Sequence, residues 1–314
     1  MRAARGRAFA RAALAGNPSD GYGGRTLAVV LREFAAEARV APCRGADAFV
    51  PPAPEGEPLL RAALARFRAN TGTPRRPVEI TCTTTVPREV GLAGSSAIVM
   101  ATLRALCRAT GVAFDPDELA RMTLAVEAED LGIAAGMQDR LVQAHEALVA
   151  MDFGAERESG VEVLDPALLP ALYVAWHDDA ASPSGGVHAQ LRERWARGDE
   201  EVRAAMTELA AHAAAARDAL LAGDAEAFAA GVDGSLDARR RIMPVDERVL
   251  AMAETARAHG ASANSAGSGG AIVGTLRDPD AWPALEEALR ALGCGVSRPA
   301  AGCDPPRPHP GTDG

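Results

Sequence analysis

The twelve residues Glu89–Met100, EVGLAGSSAIVM, constrain the fold more than any other part of the chain. They follow Val78–Val86, VEITCTTTV, an alternating β-branched run that reads as a strand. They lead into an apolar helical pattern from about Ser95 to Thr110. A glycine-bearing turn between strand and helix exposes backbone amides at a helix N-terminus, where the dipole attracts anions. Gly91 and Gly94 let the backbone approach a ligand, and Ser95 and Ser96 place hydroxyls at the helix start. By itself the turn also reads as an ordinary serine-capped helix. The commonest phosphate loop relies on a lysine. Here every one of the 33 residues counted as lysine or arginine is arginine. A phosphate cradle in this chain therefore has no lysine to draw on.

Around this unit the chain alternates strand-length apolar runs with longer alanine- and leucine-rich helical patterns, which implies a mixed α and β protein. Strands are expected at Arg7–Ala15, at Thr26–Leu31 continuing to Val40, and at ALYVAWHD, Ala171–Asp178. Helices are expected at Glu57–Thr71, from Asp115 to about Leu131, and from Gln138 to Glu146, with Gly132 to Gly136 as the break. Asp115 followed by Pro116 and two acidic residues is a strong helix start. Residues 187–241 are helical in pattern almost throughout, and helices follow at Val249–His259 and Asp280–Leu292. The tail from Pro299 carries proline and glycine without a hydrophobic pattern and is expected to be disordered.

The formal net charge of −9 over 314 residues argues against a nucleic-acid partner and favours a small molecule. Five scattered cysteines without a CxxC pair suggest neither a disulfide framework nor a zinc site, and fit a cytoplasmic setting. The basic, alanine-rich start is interrupted by Arg11 and does not read as a signal peptide. No apolar stretch reaches membrane-spanning length, so no membrane partner is expected. A monomer and a homodimer are both compatible with the pattern.

Two further glycine-bearing segments resemble the central one. LAGNPSDGYGGRT, Leu14–Thr26, reads alone as a hairpin turn. ANSAGSGGAIVG, Ala263–Gly274, runs directly into a segment apolar enough to be a buried strand. Together the three resemble the GHMP kinase superfamily of galactokinase, homoserine kinase, mevalonate kinase and phosphomevalonate kinase. The segment Pro87-Arg88-Glu89-Val90-Gly91-Leu92-Ala93-Gly94-Ser95-Ser96-Ala97 is similar to its central signature, with one extra residue and Ala93 in place of a glycine. A narrower resemblance, to glucuronokinases, is carried by ARAALAGNPSDGYGGRT, GLAGSSAIV, LGIAAGMQDRLVQAHEALVAMDF, SGGVHAQLRERWARGDE, DARRRIMP and GASANSAGSGGAIV.

The resemblance implies an α+β fold. It comprises an N-terminal ATP-binding domain over residues 1–165, similar to domain 2 of ribosomal protein S5, and a ferredoxin-like C-terminal domain with added helices over 166–298. It implies ATP and Mg²⁺ as cofactors and transfer of phosphate to the anomeric hydroxyl of a sugar, D-glucuronate first. A heptose phosphate, a neutral hexose or a mevalonate-like alcohol is the alternative acceptor, and a non-catalytic nucleotide- or sugar-binding relative the alternative class. Pro87 and Gly91 to Ala97 would hold the nucleotide, and Ser96 and Glu127 the metal. Asp139 matches the catalytic aspartate, with Arg11 offsetting transferred charge. Arg11, Asn17, Ser19, Asp20 and Tyr22 would line the sugar site with Gln138, Asp139, Gly267, Ser268 and Gly269. If residues 117–131 form one helix, Glu127 and Glu129 lie about 200° apart and only one can face the site. A uronate carboxylate would also need a guanidinium, for which Arg239, Arg240 and Arg25 are candidates.

Overall fold

The computed structural model describes residues 2–154, 160–180 and 185–299. The tail expected to be disordered falls, from residue 300 onward, outside the described residues. The chain begins with two long antiparallel strands, β1 (Ala4–Ala15) and β2 (Arg25–Pro42), joined by the first glycine-bearing segment. Their register slips between Phe9 and Ala10, a bulge that bends the pair. Along its other edge β2 pairs with β4 (Val78–Thr84) through its C-terminal half and with β5 (Leu148–Asp152) through its N-terminal half. The edge strands β3 (Ala48–Val50) and β6 (Gly160–Leu164) complete this sheet.

Four helices pack on it: α1 (Glu57–Thr71), α2 (Gly94–Thr110), α3 (Pro116–Ala125) and α4 (Met137–His145). Phe67, Ile80, Met100, Leu103 and Val149 are in the core between them. α3 starts in a reciprocal capping box, with Asp115 accepting from the Glu118 amide and the Glu118 side chain accepting from the Asp115 amide. It does not end as a regular helix. Residues Val126–Asp130 widen into a π turn, a form that frequently accompanies functional sites.

The second sheet has the strand order β10-β7-β9-β8, from β7 (Leu172–Trp176), β8 (Asn264–Ser265), β9 (Ala271–Thr275) and β10 (Gly295–Ser297). All three pairings are antiparallel, and with α9 (Trp282–Ala291) between β9 and β10 the arrangement is ferredoxin-like. Between β7 and β8 run α5 (Gly185–Ala196), α6 (Glu200–Ala222), α7 (Ala225–Ile242) and α8 (Glu247–Ala258). Ala213 and Ala216 of α6 and Phe228 of α7 share a core with Leu14 and Leu27 of the first sheet and Val273 of the second. We propose that the domain division falls near residue 165, where the chain leaves one sheet for the other. The two halves are nevertheless joined by a continuous apolar core.

Candidate active site

A cleft of about 570 Å³ opens where the three glycine-bearing segments meet. Their meeting is close enough to demand glycine at two positions. A Cβ on Gly267 would lie 2.1 Å from the Gly91 carbonyl oxygen. A Cβ on Gly91, whose φ is +84°, would lie 2.7 Å from the Gly269 carbonyl oxygen. The second and third segments thus pack backbone on backbone, which no side chain could tolerate.

Arg11 fastens this assembly. It sits on β1 with 4% exposure, and its Nη1 donates to the carbonyls of Gly91 (2.7 Å) and Ala266 (2.6 Å). Its Nε donates to Asp139 Oδ1 at 2.6 Å, so one guanidinium joins the first strand, both glycine-rich loops and the first turn of α4. Asn17 adds a second tie, donating to the Ser265 carbonyl at 3.2 Å and accepting from Asn264 at 3.0 Å. Gln143 of α4 donates to the carbonyls of Phe9 and Ala93, both at 2.9 Å, and so pins the turn before α2.

Burial alone would push the Asp139 carboxyl up, but the Arg11 and Arg140 guanidiniums outweigh it and hold the group below the usual carboxylate range. Asp20, also on the cleft wall, behaves oppositely. Burial, and then the Asp139 charge, raise it to about 6. Two neighbouring carboxylates thus have their titrations pushed apart.

α2 begins at Gly94 with Ala93 in the left-handed region, φ +60°, and among the described residues no side chain caps it. Its first amides are free for an anion. Ser95 Oγ donates to Glu127 Oε1 at 2.7 Å, and Glu127 Oε2 accepts from Arg140 Nε at 2.8 Å and from its Nη2. Glu127 is fully buried, whereas the Glu129 side chain is 66% exposed and pairs with Arg66. A hydroxyl and a carboxylate oxygen this close are hard donors of the type Mg²⁺ takes from protein, few in number and completed by water and phosphate. The donor types fit the ion, with Ser95 on the cleft wall and the Glu127 carboxylate directly behind it.

Not every residue read from the sequence faces the cleft. Ser96 is fully buried and donates to the Ala93 carbonyl at 3.1 Å, so the hydroxyl beside Glu127 belongs to Ser95. Successive helix residues point about 100° apart, and only one of the two serines can turn inward. Ala97 is buried in the core behind the cradle, while Pro87 and Gly91 to Ser95 line the cleft. Ser19 donates to the Arg25 carbonyl at 2.8 Å and holds its own turn. The Tyr22 ring packs on Trp195, with centroids 4.9 Å apart, instead of lining the cleft. Gly267 and Ser268 line it, and Gly269 is spent on the contact with Gly91. Arg240 is 52% exposed and Arg25 pairs with Asp152 at the surface, which leaves Arg239 as the candidate guanidinium in the cleft.

Several lining residues carried no signal in the sequence. Pro52, Ala53, Leu59, Val86 and Ile98 form an apolar wall beside Thr84, and Arg88 pairs with Glu55 on exposed side chains nearby. Glu127 was read from the resemblance, but its pairing with Arg140 and the place of Gln143 had no signal of their own in the sequence.

The model of the GHMP kinases N terminal domain matches residues 58–146. Glucuronokinase 1 of Arabidopsis thaliana is 32% identical over 91% of this chain and 89% of its own length. Probable glucuronokinase 2 of the same plant is 34% identical over 91% and 88%. The chain belongs to the GHMP kinase family. Solved GHMP kinase structures share its fold. Lactococcus lactis galactokinase complexed with galactose matches with a TM-score of 0.82 at 14% identity, covering 96% of this chain and 94% of that one. Streptococcus pneumoniae phosphomevalonate kinase in complex with phosphomevalonate and AMPPNP matches at 0.79 and 18%, covering 95% and 100%. As a GHMP kinase the chain is a phosphotransferase with an alcohol group as acceptor. Its α+β architecture is that of the family, and among the described residues no helix is long and apolar enough to cross a membrane.

Proposed function

We propose that this GHMP kinase is an ATP- and Mg²⁺-dependent sugar 1-kinase that converts D-glucuronate to glucuronate 1-phosphate. The observation that carries the reading is Asp139. It is an ionised carboxylate 20% exposed to the cleft, held by Arg11 at 2.6 Å and by Arg140 at 3.4 Å, with the uncapped α2 N-terminus on the same cleft. A hydroxyl that donates to Asp139 has its lone pairs free to attack a phosphoryl group.

When bound, ATP supplies the γ-phosphoryl group and Mg²⁺ offsets its charge. Ser95 and Glu127 are the residues suited to the metal, and the free amides of α2 to the phosphates. A bond forms from the acceptor oxygen to the γ-phosphorus, and the bond from that phosphorus to the β,γ-bridging oxygen breaks. The acceptor proton passes to Asp139. Because the two guanidiniums make Asp139 a weak base, the proton leaves late, which suits a loose phosphoryl-transfer step in which positioning matters more than basicity. Arg11 holds the carboxylate in place and balances its charge. The apolar wall from Pro52 to Ile98 suits the adenine base.

The choice of glucuronate is supported by the likeness to the Arabidopsis glucuronokinases over nine-tenths of the chain. ATP consumption with uronic acids, neutral hexoses, a heptose phosphate and mevalonate tests it. Turnover with glucuronate far above the rest is expected, and a neutral hexose or mevalonate as the best acceptor would overturn it.

A further inference from the structure

The cleft holds one buried cation that has neither a hydrogen bond nor an ion pair among the described residues. Arg239, in the last turn of α7, is 3% exposed, and among the described residues its side chain makes no hydrogen bond or ion pair. Its Nε is fully buried without an acceptor. The other two buried arginines of the site, Arg11 and Arg140, each hold a carboxylate, and Arg241, two residues on, pairs with Glu208 outside. Gln138, also 3% exposed and on the cleft wall, has its Oε1 buried without a donor among the described residues. A buried donor and a buried acceptor left open on one cleft are what a bound polar molecule would complete, since burying such groups unpaired is costly.

We propose that Arg239 is the residue that recognises the carboxylate of the acceptor sugar, with Gln138 Oε1 accepting from one of that sugar's hydroxyls. The proposal rests on the uronate reading above and deepens it. A guanidinium presents paired donors that match a carboxylate. Asp20 acts on Arg239 by its charge but makes no hydrogen bond or ion pair with it, so those donors are left for a carboxylate supplied from outside the protein. The position also agrees with the chemistry of a pyranuronate. Its anomeric carbon and its carboxylate-bearing carbon both flank the ring oxygen, so the carboxylate receptor must stand near the group that engages the anomeric hydroxyl. Arg239 does so. It lines the same cleft as Asp139 and as Arg11, which grips Asp139, and burial and then the charge of Arg11 lower it to about 10 against the opposing charge of Asp20. A neutral hydroxymethyl at that corner would leave the guanidinium unpaired, so Arg239 would reject glucose as it accepts glucuronate.

The test compares kcat/KM for glucuronate and for glucuronamide, its neutral isostere, in the wild type, Arg239→Gln and Arg240→Gln. Wild type and Arg240→Gln should favour glucuronate by roughly 10⁴-fold. In Arg239→Gln the ratio should collapse toward unity through loss on glucuronate, with affinity for a non-hydrolysable ATP analogue retained. An equal loss on both substrates, leaving the ratio unchanged, would overturn the proposal. A second readout does not depend on the variant folding. In the ¹⁵N-labelled wild type, the Arg239 Nε–H signal should shift and exchange more slowly on adding glucuronate and not on adding glucuronamide. A signal that glucuronate leaves unmoved would also overturn it. A wild type that phosphorylates neither compound removes the uronate reading and this proposal with it, and that failure shows before any variant is compared.

Discussion

Glu127→Gln is expected to destabilise the fold by about 3 kcal/mol, independently of any effect on metal binding. Glu127 is fully buried and Arg140 is 4% exposed, and their nearest atoms with regular geometry stand 2.8 Å apart. At that separation and an effective dielectric of 20 the attraction is roughly 6 kcal/mol, most of it offset by the desolvation of both ions. Removing one partner leaves the other charge buried alone, which typically costs about 3–5 kcal/mol. The lower end applies here, because Arg140 keeps the Gly136 carbonyl at 2.8 Å and Asp139 at 3.4 Å. Urea denaturation of Glu127→Gln, Arg140→Met and the double variant measures the effect. Each single change should cost about 3 kcal/mol, and the double clearly less than the sum, because no stranded charge remains. Single changes costing under about 1 kcal/mol, or a double equal to the sum, would refute the reasoning. Glu129→Gln, on an exposed side chain, should stay within about 0.5 kcal/mol of wild type.

Asp139→Asn should cut kcat about 100-fold or more while an ATP analogue still binds by calorimetry, and near-normal turnover would contradict the role given to the carboxylate. Ala93→Gly should stabilise the protein by roughly 0.5–1 kcal/mol, because relief of a left-handed alanine at φ +60° exceeds the entropic penalty of glycine; a lower denaturation midpoint would contradict this. Asp20 has a folded pKa of about 6 against 3.8 unfolded, so the stability it contributes is complete below pH 3.8 and is lost as pH rises through 6. Asp20→Asn should therefore be more stable than wild type at pH 8, by on the order of 1–3 kcal/mol, with the gain vanishing towards pH 4, whereas a gain independent of pH would contradict it.

Elements with a strong local cause were legible in the sequence. The capping box at Asp115 and the helix that it starts follow from side-chain and backbone chemistry within four residues. The strand Val78–Thr84 follows from alternation, and Arg11, Asp20 and Asp139 were chosen through the motif resemblance. What could not be read depends on distant partners. β5 was hidden because LVAMD, four apolar residues and an aspartate, suits the end of a helix as well as a strand until β2 lies beside it. The π turn at Val126–Asp130 has no local signature, yet Glu127 still turns inward and Glu129 outward. Which serine faces Glu127 depends on where α2 begins, and which arginine enters the cleft depends on the roll of α7 against the first sheet. Tyr22 was assigned to the sugar site on its motif, but the ring found a better partner in Trp195 of α5.

The central claim is tested most directly by identifying the product. The protein is incubated with ATP, Mg²⁺ and D-glucuronate, and proton and phosphorus NMR spectra are recorded on the mixture. The account predicts a new anomeric proton split by phosphorus, equimolar with the ADP formed and absent with Asp139→Asn. Phosphate on any other hydroxyl, or ADP formed without a phosphorylated uronate, would contradict it.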